Sequence, residues 1–297
     1  METPNVFDRT ALIHKRNRAY QNISAYNFLW DWTGTQICDR LQDVKRKFPL
    51  ALEIGTRTPN AHLNEWKHIS DIQHLFHLDL IVPPHSASPL VIGDEEALPF
   101  GSETLDLIIS NLTLHSVNDL PGALIQIRRA LKPDGLFCAA MFGGETLWQF
   151  KEAFHHTELS LKGGLSPHIF PFADKQQMGG LMQRAGYALP VVDSDIITVT
   201  YSDIYKLMHD LRGMGEGNII SARNKTYYGR DFFEEANTYY KEHFSDAEGK
   251  LEAHFEIIFL IGWAPHESQQ KPLRPGSAKT RLADALETTE IGTGETP

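Results

Sequence analysis

Three carboxylates, a glycine and an asparagine stand where apolar runs of this chain end. Glu53 and Gly55 close LALEIG, Asp79 falls in HLFHLDLI, Asp94 ends LVIGD, and Asn111 ends TLDLIISN. A carboxylate at such a place can accept both hydroxyls of a ribose, and a later one can accept a hydrogen bond from an adenine amino group. Glycine in the first turn lets a ligand approach the backbone. Each acid also has a plainer reading as a turn or helix cap, and Glu53 can simply cap the helix that follows. The order of the set, acid and glycine, acid, acid, asparagine, carries more than any one member. Leu80 and Glu95 adjoin two of these acids and complete the candidate cofactor contacts, together with Arg57 in the first loop.

Two further groups could move protons. His115 in NLTLHSVND lies just past the fourth apolar run, and histidine titrates near neutrality. It is the candidate base, or else a hydrogen-bonded loop residue. Glu145 in GGETL follows the fifth run and is a candidate catalytic carboxylate or a helix-start residue. The segment DLRGMGEGN places Gly213, Gly215 and Gly217 among Arg212, Glu216 and Asn218. Glycines so dense suit close approach to a ligand or partner polypeptide, or a hinge. Tyr26, Tyr201, Arg212 and Glu216 are therefore the expected substrate-facing wall. The 14 histidines contain no HxH or HExxH pairing, and HHTE and HES would need to fold together to make a facial set. No metal site is expected.

These groups need a frame. Short apolar runs separated by segments of helical length imply a mainly parallel sheet covered on both faces. Strands are expected at 50–54, 75–80, 105–110 and 136–141, with a last one near 255–263 running antiparallel. Between 118 and 131, Leu120, Ala123, Leu124, Ile127 and Leu131 share one helical face. Asn118 or Asp119 can cap that helix, Pro121 suits its first turn, and Pro133 with Gly135 stops it. DIITVTY and EIIFLIGW are two more strands, too far apart for a hairpin, so an inserted lobe is expected between them. The expected organisation is a helical segment 1–47, a core 48–200, a helical cap 201–253, a final core strand 254–270, and a partly disordered tail 271–297. The fold class is α/β with a seven-stranded, mostly parallel, Rossmann-like sheet.

Composition excludes several classes. The formal charge of -10, from 38 acidic and 28 basic residues, argues against a non-specific grip on nucleic acid. Two distant cysteines support neither a disulfide framework nor a thiolate zinc site. The opening METPNVFDRTALIHKRNRAY is polar, without the apolar stretch of a secretory leader. The longest apolar runs, such as IIFLIGW, are far short of the roughly 20 residues that span a bilayer. A cytoplasmic location without a transmembrane segment is expected, with peripheral membrane contact left open.

The order of acids resembles the class I S-adenosylmethionine-dependent methyltransferases, whose first motif is commonly acid-x-Gly-x-Gly-x-Gly. By that resemblance Glu53 and Gly55 are kept, Asp79 is the ribose acid, Asp94 is the adenine acid, and S-adenosyl-L-methionine is the cofactor. Arg57 and Pro59 stand where the second and third glycines belong. Arginine can meet a cofactor carboxylate there, or fill the methionine pocket. A narrower resemblance rests on VFDR, MFGGETL, GGLSPHIFPF, DLRGMGEGN and IGWAPHESQQKP. These look like the mitochondrial complex I assembly factors of methyltransferase fold, which are associated with arginine hydroxylation. The resemblance implies methyl transfer to an unidentified acceptor as the first expectation. The alternatives are hydroxylation of an arginine in a partner subunit, or a non-catalytic scaffold for complex I assembly. The partner is a small molecule or a protein, and the acidic surface suits a basic segment of a respiratory complex subunit.

Overall fold

Apolar residues two apart in one strand face the same layer of helix and their neighbours face the other, and that alternation divides the core. Ala51, Leu107, Ile109, Cys138, Ala140, Ile257 and Phe259 belong to one buried cluster. Their neighbours Leu52, Ile108, Phe137, Ala139, Ile258 and Leu260 belong to a second on the other face. The structure, a computed structural model, describes residues 5–56, 62–82, 89–270, 277 and 280–289.

Seven strands form one sheet: β1 Leu50–Ile54, β2 His74–Asp79, β3 Leu90–Ile92, β4 Leu105–Asn111, β5 Leu131–Phe142, β6 Ala188–Tyr201 and β7 Leu251–Trp263. Their spatial order is β3-β2-β1-β4-β5-β7-β6. Strands β1 to β5 pair in parallel, whereas β7 runs antiparallel to both β5 and β6. The order reverses beside β1, so ligands are expected at the carboxyl ends of β1, β2 and β4.

The helices are α1 Arg9–Ala19, α2 Phe28–Gln42, α3 Leu63–Ile69, α4 Leu120–Ala130, α5 Trp148–Lys162, α6 Lys175–Arg184, α7 Ile204–Gly213 and α8 Arg230–His243. The expected helix over 118–131 is α4. Asp119 is its cap, accepting from the Gly122 N–H, and Pro121 sits in the first turn. Helices α7 and α8 occupy the long connection between β6 and β7, where an insertion was expected.

Strand β6 begins earlier than the run DIITVTY, taking in Pro190. It is an edge strand, where a missing N–H breaks no central ladder, and its register shifts between Ala188 and Val191. The chain divides into two units, 1–265 and 266–297. The second holds a hydrogen-bonded turn at His266–Gln269 and a short helix, α9 Leu282–Ala285. Much of the expected disordered tail falls on 271–276, 278–279 and 290–297, outside the described residues. Among the described residues, no helix is long and apolar enough to cross a membrane.

Candidate functional site

The carboxyl edge of the sheet is built first by β1. Gly55 leaves the strand with φ +78°, and its N–H donates to the Leu78 carbonyl at 2.7 Å. A Cβ at Gly55 would lie 1.9 Å from Thr113 Oγ1. The glycine is therefore required by its own backbone and by a threonine packed against it. Glu53 does not cap α3. Its buried carboxylate lies 2.6 Å from His77 Nδ1 on β2, and Thr56 Oγ1 donates to it at 3.3 Å. Arg57 and Pro59 lie outside the described residues.

Asp79 ends β2 almost fully buried. The Ile81 N–H donates to Oδ1 at 3.2 Å, and the Tyr20 hydroxyl lies 3.2 Å from Oδ2 while also touching the Thr56 carbonyl. Leu80 packs with Phe7, Leu12 and Phe170 in a small satellite core. After β3, Arg9 gathers the acids: its Nη2 is 2.8 Å from Asp94 Oδ1 and 3.0 Å from Glu95 Oε1, with Glu96 at 3.8 Å from Nε. Burial pulls the Arg9 guanidinium down, but Glu95, Asp94 and Glu96 outweigh it and raise its pKa. A second arm of Arg9 donates to the Ser116 carbonyl at 3.1 Å. Asn111 is held by α2, accepting from Thr33 Oγ1 at 2.6 Å and donating to the Trp30 carbonyl at 3.1 Å. The expected residues Glu53, Gly55, Asp79, Asp94, Glu95 and Asn111 thus share one sheet edge, and the N-terminal segment reaches over it. Sequence reasoning missed Arg9 and Tyr20. The only signal was VFDR, which ends on Arg9.

Beyond the end of β5 lies a cavity of about 250 Å³. Phe142, Phe150, Phe154, Phe170, Phe172 and Phe255 line it, with Lys15, Thr146, His168, Arg212, Glu216 and Asn218 among its polar members. His115, in a 3-10 turn at Leu114–Ser116, places Nε2 3.0 Å from Glu216 Oε2, with both side chains buried. Its ring packs 4.7 Å from Phe142, and its Nδ1 has no hydrogen-bond partner.

Two of the four expected wall residues, Arg212 and Glu216, line this cavity. The other two do not. Tyr26 lies against Gly213, where a Cβ would come within 2.5 Å of the ring, and its hydroxyl is 3.3 Å from His209 Nδ1. Tyr201 is buried in the main core at the end of β6, its hydroxyl pushed up by burial and then by Asp210. Glu145 is exposed and off the cavity wall, contrary to a role touching substrate there. Its backbone N–H donates at 2.9 Å to Glu256, the carboxylate buried at this loop.

His168, on the cavity wall, is also tied into a cluster with Glu158 and Ser166. Glu158 Oε2 and Ser166 Oγ both approach the same nitrogen, Nε2, at 3.0 and 3.4 Å. A serine relay requires the two partners on opposite ring nitrogens, so this is a structural tie.

A methyltransferase-domain family profile matches residues 78–139, from the end of β2 into β5. Among solved structures, the YcgJ protein of Bacillus subtilis shares the fold at TM-score 0.52 and 13% identity, covering 77% of this chain and 98% of that one. The sheet order is that of a class I methyltransferase fold. The mitochondrial arginine-hydroxylase NDUFAF5 of Danio rerio is 39% identical over 294 residues, covering 94% of this chain and 89% of that protein. A malonyl-[acyl-carrier protein] O-methyltransferase of Nitrosospira multiformis is 34% identical over 240 residues, covering 78% and 73%. The chain belongs to the methyltransferase-fold family of the NDUFAF5 arginine-hydroxylases. The expected cytoplasmic location is overturned, because the relatives that match nearly the whole chain are mitochondrial proteins by name. Those relatives are named as hydroxylases, whereas methyl transfer was the first expectation from sequence.

Proposed function

We propose that this protein hydroxylates an arginine side chain of a partner polypeptide, of the respiratory complex I subunit type, in the cavity beyond β5. The observation that carries this reading is the buried Glu216 carboxylate on a wall that also presents six phenylalanine rings. A guanidinium is planar, stacks on aromatic faces and donates to a carboxylate in a fork. His115, 3.0 Å from Glu216, holds that carboxylate in place. Whole-length kinship with proteins named arginine-hydroxylase supports the same substrate.

Asp79 is assigned to the cofactor ribose, and Asp94 with Glu95 to the adenine side, with Glu53 and Gly55 shaping the first loop. Carboxylates at the ends of β2 and β3 are the acceptor set that S-adenosylmethionine requires, so the residues fit the group. When bound, it supplies an activated methyl group. The hydroxyl oxygen has another source. One carbon–hydrogen bond of the arginine breaks, and one carbon–oxygen bond forms with an atom of dioxygen. The second atom leaves as water, taking two electrons and two protons from an external two-electron reductant. The cavity residues bind and orient the arginine and exclude bulk water.

Lys15 and Arg212 on the same wall favour a second reading, methyl transfer to a carboxylate. Burial, then Arg223, Arg18 and Arg212, lower the Lys15 pKa, which marks that side of the cavity as rich in cations. Intact mass of an arginine-bearing subunit peptide, incubated with protein, S-adenosylmethionine, dioxygen and reductant, separates the readings. A gain of one oxygen on arginine is expected. A gain of one methylene supports the second reading, and no change in mass overturns both and leaves a scaffold.

A further inference from the structure

We propose that Cys38, His62 and Glu65 form a binding site for one borderline divalent cation, of the zinc or ferrous class, with coordination positions left open to solvent. The proposal is independent of the reading of the cavity. Cys38 is buried on α2, Glu65 is exposed in the first turn of α3, and His62 immediately precedes α3. One ligand atom from each lies within 4.8 Å of the other two. Cys38 Sγ is 3.5 Å from Glu65 Oε2, and His62 Nδ1 is 3.1 Å from the same oxygen.

The local architecture makes room for this meeting. Gly34 stands one helical turn before Cys38 on α2, and a Cβ there would lie 2.1 Å from His62 Cδ2. Glycine inside a helix is less favourable than alanine. Here it opens the slot that the imidazole fills. The imidazole is also incompletely satisfied by protein groups, since its Nε2 is buried without a hydrogen-bond partner. Cys138, the other cysteine, is buried within β5 and has no such company among the described residues.

The donor types decide the ion. Calcium and magnesium take oxygen ligands, whereas thiolate, imidazole and carboxylate together suit zinc or ferrous iron. Three protein ligands leave a position for water, and the exposed Glu65 puts that position at the surface. Binding forms a metal–sulfur bond and releases the thiol proton to solvent. His62 immediately precedes α3, so a bound ion would tie the start of α3 to α2. No histidine or cysteine spacing could reveal the site, because its members come from two separate elements.

Cobalt(II) titration of the full-length protein, stripped beforehand with chelator, tests the site. A thiolate-to-cobalt absorption band that saturates at equimolar metal is expected in wild type and in Cys138→Ala. Cys38→Ala should abolish it, and Glu65→Gln should weaken cobalt binding by roughly tenfold or more. Glu65 is exposed, so Glu65→Gln decides the matter even if the cysteine variant fails to fold. No band in wild type, a band that survives Cys38→Ala, or unchanged affinity in Glu65→Gln would each overturn the proposal.

Discussion

At the scale of single residues, Glu158 illustrates how donors can outweigh burial. Burial pushes its carboxyl up, but the Ser166 hydroxyl and N–H, the Tyr228 hydroxyl and His168 hold it at about 2, against an ordinary 4.5. The contacts are short: 2.6 Å from Ser166 Oγ, 2.8 Å from Tyr228 and from the Ser166 N–H, and 3.0 Å from His168. A carboxylate whose folded pKa is depressed contributes stability that is complete above its unfolded pKa and disappears as pH falls through the folded one. Wild type should therefore exceed Glu158→Gln in urea-unfolding stability by a constant margin above pH 4.5, and that margin should close toward pH 2. A margin independent of pH over that window would remove the carboxylate's charge from the account. None of this was legible in HHTE, which was weighed only as part of a metal site and set aside. The partners are a serine and a tyrosine from loops that no spacing connects to it.

At the scale of elements, the sequence was most legible where burial on both faces leaves an unbroken apolar run. β1, β4, β5 and β7 are such strands, and α4 declares itself through period, cap and proline. Strand β6 was half legible, because an exposed edge tolerates Pro190 and polar alternation. The docking of α1 was not legible at all. Arg9 meets Asp94 across 85 positions of sequence, and only the fold brings them together. Tyr201 was misplaced for a related reason: its nearness to Arg212 in sequence does not survive the turn between β6 and α7. Removing Arg9 would leave Glu95, 2% exposed, without its cation and crowded by Asp94 and Glu96. Breaking a buried pair from one side typically costs about 3–5 kcal/mol, and about 2 kcal/mol is expected here because Arg9 and Asp94 are partly solvated. Arg9→Ala should lower the urea midpoint accordingly, while Arg9→Lys should recover part of the loss by keeping charge without the fork. An Arg9→Ala protein as stable as wild type would mean that α1 docks through its apolar contacts alone.

At the scale of the molecule, the sheet edge, the N-terminal segment and the cavity become one question: whether this frame takes up its cofactor. Tyr20 lies on Asp79 and Arg9 on Asp94 and Glu95, so α1 and the turn after it already touch the acids assigned to ribose and adenine. A ligand that binds only the folded protein raises its stability by mass action, by roughly 2.7 kcal/mol at a hundred times its dissociation constant. For a domain of this size each kcal/mol moves the melting midpoint by about 2–4 °C, so an upward shift of about 5–10 °C is expected with S-adenosylmethionine. Asp79→Asn keeps the side chain's shape and its contact with the Ile81 N–H but replaces one acceptor oxygen with a donor. It should melt somewhat below wild type without ligand, because the Tyr20 hydroxyl loses its acceptor, and lose most of the ligand-induced shift, because a ribose hydroxyl then meets a donor where it needs an acceptor. The demethylated product should behave like the cofactor, since ribose and adenine are common to both. A wild-type protein whose midpoint is unmoved by saturating cofactor would detach the edge acids from nucleotide binding. It would also leave the cavity with Glu216 and its phenylalanines as a site that grips a partner without altering it.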